Sequence, residues 1–158
     1  MDFKIEINAS REKVWDVLFG EKTYPLWTTV FSEGSKVETD WKKGSKALFL
    51  DASNRGMVSR IADNVPNEFM SIEHLGMVTA DGVEDYDSDE VKSWAGAKEN
   101  YTLTDLGGKT ALHIFMEMDE SEKNKEMIAM FADMWPKALA KVKELAETEG
   151  EIIPPVVV

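Results

Sequence analysis

Met70, Ile72 and His74 fall on alternate positions, and further along the chain Glu99, Tyr101 and Leu103 do the same. In an extended chain successive side chains point to opposite faces, so each set shares one face. If the two segments are neighbouring antiparallel strands, His74 comes within reach of Glu99 or Tyr101. An imidazole beside a carboxylate and a phenol could anchor a polar ligand group or move a proton. The plainer reading is a satisfied hydrogen-bonding group in a mostly apolar wall, because one titratable pair does not define a catalyst. His113 is the other histidine. It alternates with Leu112 and Ile114, so it is expected on the opposite, solvated face.

Other chemistries lack their residues. There is no cysteine, so no disulfide, zinc–thiolate site or cysteine nucleophile can form. No Ser-His-Asp order, glycine-rich phosphate loop or HExxH zinc helix occurs. Asp85, Asp87 and Asp89 have the spacing of the first three calcium-loop ligands. The sixth position, however, holds Glu90 instead of Gly, and the twelfth holds Gly96 instead of Glu. That stretch reads as a solvated acidic loop. No catalytic residue, metal ligand or cofactor is assigned.

The elements that must position these residues follow from periodicity. Phe3, Ile5 and Ile7 alternate with Lys4 and Glu6, so residues 2–8 read as a strand with one buried face. Asn8 or Ser10 offers a cap to a short helix ending near Gly20. A second short helix over 21–27 is interrupted at Pro25. Strands are expected at 34–41, 44–52, 55–63 and 68–75. A further pair, 95–104 and 109–118, is joined by Asp105-Leu106-Gly107-Gly108, a hairpin signal. The polar segment Gly76 to Ser93 reads as a long loop and a candidate lid.

Residues 121–150 read as one long amphipathic helix. Met127, Phe131, Met134, Ala138, Val142 and Leu145 form its apolar stripe. Met127, Met130, Phe131 and Met134 are expected to face the sheet, where methionines can line an adaptable pocket. Pro136 should kink the helix by removing a bond to residue 132. Strands segregated from helices indicate an α+β fold: a seven-stranded antiparallel sheet wrapped around a long C-terminal helix, with two short helices after the first strand.

A chain of 158 residues suggests one domain, taken as 1–150, followed by an apolar, proline-containing tail over 151–158. The formal charge of −12 argues against nucleic acid, whose binding needs clustered Lys and Arg. Anionic membrane surfaces are disfavoured for the same reason. No signal-peptide pattern opens the chain and no segment approaches the roughly 18 apolar residues of a membrane span. The expected location is the cytoplasm.

Three segments carry a family resemblance. Ala9-Ser10-Arg11-Glu12-Lys13-Val14-Trp15 resembles the opening helix of the START/Bet v 1-like (SRPBCC) superfamily, where a small residue precedes a Val-Trp pair. Pro66-Asn67-Glu68-Phe69-Met70-Ser71-Ile72 resembles its proline-led fifth strand, and Trp135-Pro136-Lys137-Ala138-Leu139-Ala140-Lys141-Val142-Lys143 its final helix. The chain is most similar to the branch named for activators of the Hsp90 ATPase (AHSA1-like). It departs at His74, where an aromatic residue, often Trp, would be expected, and at Pro136. The resemblance implies a helix-grip fold whose concave face points to a cavity. It transfers no catalytic motif, since one fold hosts many functions.

The leading expectation is therefore non-enzymatic binding of a small apolar or aromatic molecule between sheet and final helix. His74, Glu99 and Tyr101 would orient it, and Met70, Ile72, Met127, Phe131 and Met134 would line it. The second reading is a protein-interaction module with a chaperone partner, as the resemblance implies. The third is a cyclase-like enzyme using acid–base residues of the cavity.

Overall fold

Alternation of Phe3, Ile5 and Ile7 with charged side chains produces the first strand, β1 (Asp2–Ile7). The structure, a computed structural model, describes residues 1–118 and 121–148. After β1, Ser10 caps α1 (Arg11–Phe19): its hydroxyl accepts from the Lys13 backbone N–H at 3.2 Å. Gly20 follows the helix because a Cβ there would lie 2.3 Å from the Asp16 carbonyl oxygen. Pro25 sits at the start of α2 (Tyr24–Trp27), where no helical bond needs its missing N–H, and a 3-10 turn over Thr28–Val30 follows.

The strands β2 (Lys36–Glu38), β3 (Lys46–Leu50), β4 (Gly56–Val65) and β5 (Phe69–Val78) form a meander. Then come β6 (Glu84–Asp85), a short α3 (Asp89–Lys92), β7 (Lys98–Asp105) and β8 (Thr110–Met116). Gly107 and Gly108 turn the β7–β8 hairpin at φ of 81° and 93°, the left-handed region that glycine enters without penalty. The sheet order is β1-β8-β7-β5-β4-β3-β2, with every pair antiparallel and β6 attached off this path to β5. The seven expected strands are present, and β6 is an eighth of two residues.

The final helix, α4 (Lys125–Glu147), packs against β1, α1, α2 and the 3-10 turn. Its Trp135, Leu139, Val142 and Leu145 are buried in one cluster with Ile7, Met70, Ile72, Leu103, Leu112 and Ile114 from the sheet's inner face. Each such side chain contributes about 1.5–3 kcal/mol by leaving water. This is a helix-grip α+β architecture.

Two expectations are corrected. The stripe of α4 is buried only from Trp135 onward; Met127 and Met130 are each 44% exposed. Helical spacing continues past the surface available to cover it. α4 runs through Pro136 as one helix. Both Pro136 and Ala132, whose carbonyl loses its partner, are exposed, so water can satisfy that oxygen.

The segment 76–93 is not a free loop. β5 runs on to Val78, β6 folds back against Met77 and Val78, and α3 packs on β5. Leu50, Val58, Val78 and Val91 are buried but lie outside the main core. The register explains why. Val58 pairs with Gly76 and Ser59 with His74, so Leu75 is an extra residue on β5. Ser59 and His74 face inward, which puts Val58, Leu50 and Val78 on the outer face. There Val91 of α3 completes a second small core, and an exposed Lys46–Glu84 ion pair ties β3 to β6. The segment thus covers the sheet's outer face instead of gating the inner one. The remaining residues of the expected helix end and the tail, 149–158, lie outside the described residues.

Candidate functional site

Strand register places the polar residues of the inner face together. Met70 pairs with Tyr101 and Ile72 with Glu99 across β5 and β7, and Glu99 pairs in turn with Met116 of β8. The next inward position of β5 is His74. Its backbone is pinned to the approach of β7 by two bonds: its N–H donates to the Ala97 carbonyl at 2.9 Å, and its carbonyl accepts from Gly96 at 2.8 Å.

The side chains then form a chain. The Ser59 hydroxyl lies 2.7 Å from His74 Nδ1. His74 Nε2 lies 3.7 Å from Glu99 Oε1, within ion-pair range but beyond a hydrogen bond. The Tyr101 hydroxyl donates to Glu99 Oε2 at 2.6 Å. Ser59 is fully buried, while the side chains of His74 and Glu99 keep 14% and 16% of their exposure. A carboxylate facing Nε2 favours the proton on that nitrogen, leaving Nδ1 to accept from Ser59. Burial first, and then the charge and hydrogen bond of Glu99, holds the Tyr101 phenol well above its ordinary value. Burial and then the same negative charge push up Tyr24, which therefore lies in the field of Glu99.

Aromatic rings surround this group. Phe49 meets the His74 ring edge-on at 6.1 Å between centroids. Tyr24, Trp41 and Phe49 lie 6.1–6.4 Å from one another, and Phe19 packs on Tyr101 at 5.3 Å. Trp41 has a φ of 62°, a left-handed backbone unusual for so large a residue. It is held there by two bonds: its N–H donates to Thr39 Oγ1 at 3.2 Å, and its carbonyl accepts from Asn64 Nδ2 at 2.8 Å. Deeper in, the indole N–H of Trp135 is buried without a partner, between Phe3, Phe31, Trp27 and Tyr101.

Of the residues singled out from sequence, His74, Glu99, Tyr101, Met70 and Ile72 come together on the inner face. Phe131 and Met134 are half-buried, with Phe131 packed on the core. Met127 stands outside it. Ser59, Tyr24, Trp41 and Phe49 were not anticipated. The only signal for Ser59 was parity: it alternates with Ile61, which is buried on the same face. Two open grooves lie elsewhere. One of about 680 Å³ is lined by Met1, Asp2 and the end of β8, and one of about 450 Å³ lies on the outer face beside His113. His113 sits on that outer face and approaches Asp2 at 2.6 Å. The acidic run 84–90 builds a turn instead: Asp85 accepts from the backbone N–H groups of Asp87 and Ser88 at 3.0 Å, leading into α3. Among the described residues no group of three or more His, Cys, Asp or Glu is placed to hold a metal ion.

An antiparallel sheet gripping one long helix, with short helices after the first strand, defines the class. The chain belongs to the family described as Activator of Hsp90 ATPase homolog 1-like protein, whose model matches residues 8–147. Solved structures agree. A protein from Mesorhizobium loti is 14% identical, with a TM-score of 0.70 over 96% of this chain and 100% of that one. The Aha1 dimer from Colwellia psychrerythraea is 16% identical, with a TM-score of 0.67 over 95% and 98%. CalU16 from Micromonospora echinospora is 15% identical, with a TM-score of 0.60 over 94% and 76%. At these identities the likeness carries the fold alone. A comparison with curated proteins finds no match. No helix among the described residues is long and apolar enough to cross a membrane.

Proposed function

We propose that this chain binds a small apolar or aromatic molecule at the inner face of the sheet, without catalysing a reaction on it. The supporting observation is the Ser59–His74–Glu99–Tyr101 chain, set among half-buried rings on a mostly apolar face. Apolar burial would supply most of the affinity, and the polar groups would orient the ligand. A cytoplasmic location belongs to this reading and draws support from the cysteine-free sequence.

The test is native mass spectrometry of the chain purified from its own host. A co-purifying molecule released on denaturation, and lost from His74→Ala, is the expected result. A mass equal to the bare chain, together with no binding across a library of aromatic compounds, refutes the reading.

A second reading is a protein-interaction module. Its support is the exposed pair Met127 and Met130 on α4, in a family named for Hsp90 ATPase activators. Its test is the ATPase rate of the host's Hsp90 with the chain added, compared with the Met127→Glu, Met130→Glu double variant. An unchanged rate with the unaltered chain sinks it.

A further inference from the structure

We propose that the ligand is a cation: an ammonium group on an aromatic or aliphatic body, seated between the Glu99 carboxylate and the rings of Tyr24, Trp41 and Phe49. This deepens the small-molecule reading above and rests on it.

The first argument is an unfilled carboxylate. Glu99 is sheltered, with 16% of its side chain exposed. One oxygen takes the Tyr101 hydroxyl; the other has only His74 Nε2, at 3.7 Å. Among the described residues no Lys or Arg forms an ion pair with it. Glu73 differs: 19% exposed, it binds Arg60 at 3.0 Å. A sheltered carboxylate without a full set of partners is costly. A ligand N–H or alkylammonium supplies the missing positive charge.

The second argument is the ring set. Aromatic faces carry negative quadrupole density, so they attract cations and repel anions. Tyr24 lies in the field of Glu99, and Phe49 edges the His74 ring. Trp41 is fixed in a left-handed backbone by Thr39 and Asn64. Such a conformation persists only where its surroundings hold it, and it keeps this ring beside Tyr24 and Phe49. The third argument is the field. A chain of net charge −12 concentrates cations and excludes anions.

The experiment titrates the full chain with three matched probes at low ionic strength: phenethylamine, 2-phenylethanol and phenylacetate. Indole fluorescence and amide NMR shifts report binding. Phenethylamine is expected to bind at least tenfold tighter than the alcohol, with shifts centred on Trp41, His74 and Glu99. Glu99→Gln should bring the amine to the alcohol's level. If that variant does not fold, the three probes on the unaltered chain decide alone. Equal affinity of alcohol and amine at this site overturns the cation inference and leaves the small-molecule reading standing. Preferred binding of phenylacetate overturns it in favour of His74 as the anchor. Amine shifts confined to the acidic 84–90 run overturn it as surface attraction. No binding by any probe up to millimolar concentration overturns the inference, and the bare-mass and library result then decides the reading beneath it.

Discussion

Tyr101→Phe removes one hydroxyl and nothing else from the inner face, so its effect can be worked out. The hydroxyl donates at 2.6 Å to Glu99, and Tyr101 is 3% exposed. A hydrogen bond to a charged group is worth about 1.5–3 kcal/mol, and the sheltered carboxylate left behind has no replacement donor. Urea unfolding at pH 7 should therefore show a lower midpoint with unchanged slope, corresponding to a loss of about 1.5–3 kcal/mol. The advantage shrinks in alkali. The Tyr101 phenol is held well above its ordinary value of 10.0 when folded. Its contribution is fully present below the unfolded value and is lost as pH rises from there towards the folded one. In that window the unfolded chain releases a proton that the folded chain keeps, costing about 1.36 kcal/mol per pH unit. At pH 11.5 the unaltered chain has lost about 2 kcal/mol through this one group, and the Phe variant has lost none of it. The two stability curves should converge and meet near that pH. Groups that do not interact with Tyr101 contribute equally to both proteins and cancel in the difference. Parallel curves from pH 7 to 11.5 would show that the phenol is not buried against Glu99, and the geometry of the site would fail with it.

His74→Ala should keep the fold and weaken binding of the co-purifying molecule by about 1–3 kcal/mol, measured by calorimetric titration; unchanged affinity removes His74 as an anchor. Val91 is 1% exposed in the outer-face core, so Val91→Ala should raise amide exchange across residues 79–95. It should destabilise the chain by about 1–2 kcal/mol while leaving α4 protected, and uniform change in both regions would contradict a separate outer core. Pro136→Ala should stabilise the chain by up to about 3 kcal/mol in thermal unfolding, since the ring is exposed and Ala restores a helical N–H; a lower midpoint would mean that Pro136 makes packing contacts.

Periodicity made most of the fold readable. The Phe3-Ile5-Ile7 alternation and the Asp105–Gly108 turn are signals in which neighbouring residues agree, and both elements formed within a few residues of their expected bounds. The segment 76–93 misread because its order rests on two isolated apolar residues. Val78 and Val91 have no repeating pattern between them. Their shared burial depends on Leu75, an extra residue that reverses which face Val78 takes. A bulge has no composition of its own, so parity counted through it gives the wrong side. Met127 failed for another reason. Spacing fixes the angular face of a helix but not how far along its axis a partner surface extends.

The site divides along the same physical line. His74, Glu99 and Tyr101 lie on strands, where period-2 alternation carries direction, and two adjacent strands bring them into one group without further information. Tyr24 lies on a four-residue helix, too short for any stripe, and Trp41 lies in a connection where no period applies. Trp41 is aimed by a left-handed backbone that its own side chain disfavours, so local preference argues against the conformation it adopts. Asn64, a residue of β4 distant in sequence, supplies the bond that helps hold it. What alternation reveals is therefore the polar floor of the site, while its aromatic walls depend on tertiary contacts. The question of charge lies in those walls: a carboxylate with a histidine reads as an acid–base pair until the rings around it are known, and with them it reads as a seat for a cation.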